Sequence, residues 1–226
     1  MSQSTTDYAT LVNRVALQVS ESEMDDIYAD SPINRKFRQF VNMALNDLCN
    51  AYDWAWLYQD IPGSAFAWTD ERFVINNFAR VVSFTYRSRQ IREMSVTRWR
   101  EYPLNELPAN FTGTPFYNWA FTQLDDNTFA VNPYPTTAEQ RELFAARIIR
   151  QIVPPATALD KFPFPERFVN LLEKRAVYYA MLRHAHDMQQ ASMAEKDYEM
   201  QLKVHMDRER TTTGVNRFNI YDRYSR

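Results

Sequence analysis

The spacing of the apolar residues changes period twice along this chain, and those two changes limit its fold more than any motif does. Up to about residue 52, apolar side chains recur every three or four positions, the pattern of helices that bury one face. Asp7 is placed to cap a first helix over residues 8–19, with Leu11, Val15 and Val19 on one side. After the acidic stretch SESEMDDIYADS at residues 20–31, Ser31-Pro32 opens a second helix with a capping hydroxyl and the proline favoured at the first helical position. Phe37, Phe40, Val41, Ala44, Leu45 and Leu48 form its core face. Helical spacing returns in Val169, Leu172, Ala176, Val177 and Ala180, and again in Ala194, Tyr198 and Leu202. Between those runs Ser192-Met193-Ala194-Glu195 matches the capping-box pattern, which predicts a helix restarting near Ser192.

From Trp54 the period shortens. WAWLYQDIPGSAFAW, RFVI, RVVSFTYR, FYNWAF, TFAVNP and LFAARIIRQIV alternate or bunch their apolar residues between proline, glycine or Asp-Asn breaks, as strands do. Asp125-Asp126-Asn127 reads as a hairpin turn between residues 119–124 and 128–132, because Asp and Asn tolerate left-handed backbone. Strands in succession without intervening helices predict an antiparallel sheet curled into a sandwich or barrel. Pro154-Pro155, then Pro163 and Pro165, close that region. The expected class is α+β: a helical bundle formed by the N- and C-terminal helices, with an antiparallel β-sandwich or barrel domain inserted between them. The expected bounds are 1–53 and 156–210 for the helices, 54–155 for the β domain and 211–226 for an extended C-terminal arm.

Composition narrows the function. A chain of 226 residues, 45% apolar and 15% aromatic, can bury a sizeable core. Its formal charge of −2 excludes a uniformly basic protein whose main partner is the nucleic-acid backbone, while leaving room for local basic surface. Three glycines against eleven prolines leave no material for a phosphate-cradling loop. The opening MSQSTTDYATLVNR lacks a basic start followed by an apolar core, and no run of about eighteen apolar residues occurs, so neither a standard secretion signal nor a membrane span is expected. The single Cys49 cannot form an internal disulfide, which suits a reducing compartment or indifference to redox state; lying between apolar helix positions, it reads as a buried structural thiol.

Catalytic constellations are missing: no Gly-x-Ser-x-Gly, no paired cysteines, no His-Glu-x-x-His. Asp25/Asp26 and Asp125/Asp126 sit in polar loops, without the desolvation that makes a carboxyl a general acid. His184 and His186 are two residues apart, roughly 200° around a helix, so they cannot share an ion without another segment. These two and His205 read as surface or interface residues. Trp54, Trp56 and Trp68 flank a helix-to-sheet junction and read as core. No enzymatic activity, cofactor or metal is expected.

The succession MALNDLCNAYDWAWLYQDIP, FTGTPFYNWAF, FAVNPYP and FPFPERFVNLLEKRAVYYAML resembles the head-to-tail adaptor proteins of short-tailed bacteriophages, also called head-tail connector or tail tubular protein A-like proteins. In that family a helix ends in a Trp-containing stretch entering a strand, as residues 51–57 do. A Gly-x-Pro-x-aromatic turn follows, matched by Gly113-Thr114-Pro115-Phe116-Tyr117, and then an apolar-x-Pro-x-Pro strand end, matched by Val131-Asn132-Pro133-Tyr134-Pro135. Last comes an Ala- and Tyr-rich helix after a proline-rich loop, matched by residues 165–184. The resemblance covers residues 8–210. It implies a structural virion protein of the phage tail or neck, assembled in the host cytoplasm. There it would form a homo-oligomeric ring of about twelve copies, bound to the portal protein above and the tail nozzle protein below, with genomic DNA passing through its lumen.

A ring with a heterologous interface uses two different patches per subunit, where opposite charges can meet. The acidic loop, with Glu21, Glu23, Asp25 and Asp26, and the basic start of the second helix, with Arg35, Lys36 and Arg38, are candidates; ordinary solvated charge is the alternative. Positive side chains at a helix N-terminus oppose its dipole, so they imply an acidic partner outside the chain or the acidic loop just before them. Thr211-Thr212-Thr213-Gly214 is expected to end the last helix. Beyond it Arg217, Phe218, Tyr221, Arg223, Tyr224 and Arg226 interleave cations with aromatics, the types enriched at interface cores. They form either a portal-binding arm or a loose terminus. An alternative function is nucleic-acid binding by this same arm through stacking and phosphate contacts.

Overall fold

The computed structural model describes residues 3–101, 104 and 119–213, the side chains of 211–213 excepted. The class is α+β, with two compact units: one built from the chain up to Trp56 and from Ile152 onward, the other from Leu57–Gln151.

In the first unit α1 (Tyr8–Gln18) is capped by Asp7, whose carboxylate accepts from the Thr10 amide. Ser20 takes a left-handed conformation (φ 64°) that stops it. α2 (Pro32–Ala51) starts on the Ser31 hydroxyl, with Pro32 in its first turn. Its face of Phe37, Val41, Ala44 and Leu48 is fully buried, as are Leu11, Val12 and Val15 of α1. The unit's central helix is Glu166–Ala180, which packs on α1, on α2 and on the last helix, Met188–Thr213. Phe168 of the central helix stacks edge-on against Trp54 at 4.9 Å. Each such fully buried aromatic contributes about 2–3 kcal/mol of apolar burial.

The break between the last two helices differs from the Ser192 expectation. Residues Met181–Ala185 form a π turn, His186 adopts φ 54°, and Asp187 caps the new helix by accepting from the Gln190 amide at 2.9 Å. Ser192 lies one turn inside that helix. Asp187-x-x-Gln190 is itself an Asp-to-Gln capping pattern, and the left-handed residue just before it is what decides between the two candidates. The three threonines also fail to stop the helix, which runs to Thr213.

In the second unit, β1 (Tyr58–Pro62), β2 (Ala67–Thr69), β3 (Arg72–Val74), β4 (Phe78–Tyr86), β5 (Arg89–Gln90), β6 (Arg92–Glu93), β7 (Ala120–Gln123), β8 (Thr128–Asn132) and β9 (Phe144–Arg150) form two sheets. Their orders are β1-β9-β4-β5 and β2-β3-β8-β7-β6. Every described pairing is antiparallel except β6 with β7, which makes the second sheet mixed. Residues 54–57, expected as strand, include a 3-10 turn at Ala55–Leu57. Two short helices that the strand reading missed are α3 (Val96–Arg100) and α4 (Ala138–Glu142). α4 opens with a capping box between Thr137 and Gln140, a signal present in the sequence. The central and last helices of the first unit are accordingly α5 and α6.

One aromatic core joins the two sheets: Phe84 contacts Phe121 at 4.5 Å, Phe73 and Phe129 stack at 5.7 Å, and Tyr86 stacks on Trp119. β8 is buried on both faces, because Ala130 on its far side packs under Trp99 of α3. That explains why TFAVN reads as a continuous apolar run. The turn after β7 is made by Asp125, whose carboxylate accepts from the amides of Asn127 and Thr128. None of Asp125, Asp126 or Asn127 takes a positive φ, so side-chain acceptance and not left-handed backbone closes the turn. Trp54 and Trp56 are buried and Trp68 is half-buried, its indole donating to the Gly63 carbonyl. The Gly113–Tyr117 motif lies outside the described residues.

Candidate assembly surface

The acidic stretch 20–31 is held against the helices on either side of it. Asn13 of α1 clamps Met24 twice, donating to its carbonyl at 3.1 Å and accepting from its amide at 3.0 Å. Ile27 is buried, and the Tyr28 hydroxyl donates to the Pro155 carbonyl at 2.9 Å. These anchors turn the carboxylates outward: Glu23, Asp25 and Asp26 are exposed.

The start of α2 lies directly beside this loop. Arg35 pairs with Asp30 at 3.7 Å, Asn34 donates to the Asp26 carbonyl at 2.7 Å, and the Arg38 guanidinium sits 4.6 Å over the Tyr28 ring. Lys36 is exposed. The two charged candidates therefore form one continuous rim on the same chain. Arg35 and Arg38 are met by their own preceding loop, the second of the two partners that the helix dipole argument required.

Glu21 is the exception to the outward pattern. Its Oε1 lies 2.7 Å from His184 Nε2, on the π turn 163 residues away, and the His184 ring packs edge-on against Phe37 at 5.2 Å. His205 stacks on Phe168 at 5.3 Å; burial, then the Arg167 charge, hold its pKa below the ordinary histidine value. His186 carries the left-handed bend. The three histidines thus occupy three separate places in the bundle. Among the described residues there is no group of three or more His, Cys, Asp or Glu side chains that could hold a metal.

α6 presents a surface of another kind. Met193, Met200 and Val204 are each more than 60% exposed, and spacings of seven and four put them on one helix face. The opposite face is clasped to α5 by Arg167–Glu209 at 2.6 Å and by Arg175, whose guanidinium lies 5.1 Å over the Tyr198 ring, and Lys174–Asp197 adds an ion pair at the edge of the stripe. α6 is thus firmly fixed while leaving an apolar stripe uncovered. The sequence reading used Ala194, Tyr198 and Leu202 for the buried side and overlooked the Met193/Met200/Val204 stripe, which the same spacing rule reveals. The arm residues Arg217, Phe218, Tyr221, Arg223, Tyr224 and Arg226 lie outside the described residues.

A mixed-charge rim and an apolar helix stripe are surfaces through which a chain can contact other proteins. The family is an adaptor family: the model for the SU10 adaptor protein matches residues 6–218, and the chain belongs to that family of phage structural proteins. A comparison with curated proteins finds no match. No helix among the described residues is long and apolar enough to cross a membrane.

Proposed function

We propose that the chain assembles into a ring of about twelve copies that joins the portal of a short-tailed phage to its tail nozzle and continues the channel through which DNA leaves the head. The observation that carries this reading is the adaptor family match over residues 6–218. An adaptor acts by binding other virion proteins, and the exposed Met193/Met200/Val204 stripe gives a neighbouring copy apolar surface to bury. The rim of Glu21, Glu23, Asp25 and Asp26 beside Arg35, Lys36 and Arg38 serves as one of the two patches of a heterologous ring contact. Being contiguous, those residues face a different patch on the next copy and not each other. The segment from Thr211 onward serves as a portal-binding arm through Arg217, Phe218, Tyr221, Arg223, Tyr224 and Arg226. Assembly takes place in the host cytoplasm, and the ring ends in the neck of the virion.

Negative-stain images of the purified protein, alone and mixed with portal, test this. Rings, or added density on portal particles, are expected; monomers in both samples would sink the reading. Truncation after Arg210 tests the arm: the shortened chain should fold, losing only the last turn of α6 at residues 211–213, and fail to attach to portal-bearing heads. Attachment equal to that of the full chain would remove the arm from the mechanism.

A further inference from the structure

We propose that the β4–β5 hairpin and the β6–α3 segment after it form an arginine platform that contacts the phosphate backbone of double-stranded DNA. Residues 87–100 read RSRQIREMSVTRWR, in which Arg87, Arg89, Arg92, Arg98 and Arg100 face a lone Glu93. All five arginines are exposed. Among the described residues, Arg89, Arg92, Arg98 and Arg100 have no carboxylate partner. The whole unit Leu57–Gln151 uses arginine and contains no lysine.

The mounting of these side chains is stiff. Arg87 and Ser88 adopt φ 48° and 63°, the left-handed pair that closes a tight hairpin between β4 and β5. Tyr86 at its base is fully buried and stacks on Trp119 with centroids 4.3 Å apart. Ile91, 2% exposed, pins the chain where it leaves one sheet for the other, with Arg89 in β5 and Arg92 in β6. Trp99 packs on Ala120 and Ala130, leaving Arg98 and Arg100 on its two sides in solvent. The backbone that carries these arginines is thus held in place, and the paired donors of each planar guanidinium match the oxygens of a phosphate.

A polyanion suits this platform better than the acidic loop of residues 20–31 does. The acidic loop has Glu21 engaged by His184, Asp30 by Arg35 and Asp26 by the Tyr28 amide, which leaves Glu23 and Asp25. Duplex DNA offers a charge about every 1.7 Å along its axis. Contacts of this kind position a duplex without reading its sequence. The proposal concerns the single chain and does not depend on ring formation.

The test is titration of a short labelled duplex with the full-length protein by fluorescence anisotropy over a range of salt, compared with the triple variant Arg89→Ser/Arg92→Ser/Arg98→Ser. Binding should weaken about tenfold or more in the variant, and the slope of log K against log salt should fall by about 2–3, near 0.9 for each phosphate that is no longer neutralised. Thermal melting of the variant should match the parent, since all three sites are exposed. Truncation after Arg210 should leave binding in place. No binding by the parent at low salt, unchanged binding in the triple variant, or binding abolished by truncation would each overturn the proposal. So would a variant that binds DNA normally but no longer joins portal-bearing particles, which would make the platform a protein-docking surface.

Discussion

Arg175 donates from Nε to Asp47 Oδ2 at 2.6 Å, and the Tyr179 hydroxyl donates to the same oxygen at 2.5 Å. This half-buried knot ties α5 to α2, and Glu195 at 3.6 Å from the same guanidinium extends it to α6. Tyr178, Tyr179 and Tyr198 all lie within about 5 Å of the Arg175 carbon, so the cation is enclosed by aromatic faces.

Replacing Asp47 with Ala leaves a guanidinium and a hydroxyl without their shared acceptor in a partly desolvated place. A loss of about 2–3 kcal/mol is expected from the midpoint of urea unfolding. An unchanged midpoint would show that water replaces the carboxylate at no cost.

Glu166 at the start of α5 accepts from the amides and hydroxyls of both Thr5 and Thr6, which fastens the N-terminal segment to the bundle. Burial alone would push its pKa up, but these hydrogen bonds outweigh it and hold the carboxyl at about 2. A depressed folded value means that its stabilisation is complete above the ordinary 4.5 and is lost as pH falls from there toward 2. Stability measured across that interval should fall less steeply in Glu166→Gln than in the parent; parallel curves would remove Glu166 from the acid transition.

Gly63 sits where backbone passes too close for any side chain. A Cβ there would collide with the Arg141 carbonyl and approach Phe144 Cβ to 2.9 Å. Gly63→Ala should destabilise the protein by about 1–3 kcal/mol through forced backbone shifts. A melting temperature within error of the parent would show that β9 and the end of α4 yield freely.

Cys49 is a free thiol, pushed up to about 12 by burial. Since the thiolate is the reacting species, alkylation by iodoacetamide near neutral pH should be slow in the native protein and rise sharply once denaturant unfolds it. Equal rates in the two states would mean that α2 frays around position 49.

Elements governed by neighbouring residues were legible in advance. Asp7 and Ser31 cap the first two helices as their sequence positions indicate, and the Asp125 turn falls where its residues place it. The α+β class followed from the change of apolar period. α3 and α4 were hidden because five residues are too short to establish a helical period, and the capping box at Thr137 was their only local mark. On the candidate surface, the sequence located the acidic and basic groups without showing that one rim holds both.

What the sequence determines by itself is whatever depends on hydrogen bonds and steric limits within a few residues: caps, turns, periods and the apolar faces they define. The tertiary structure decided which of those faces stay uncovered and which charges meet. Glu21 finds His184 across 163 residues, α6 buries Tyr198 while leaving Met200 in solvent, and β6 joins β7 in parallel. Such choices rest on competition among many partners of similar local chemistry, and they are settled only when the whole chain packs and each buried contact offsets the entropy of ordering it.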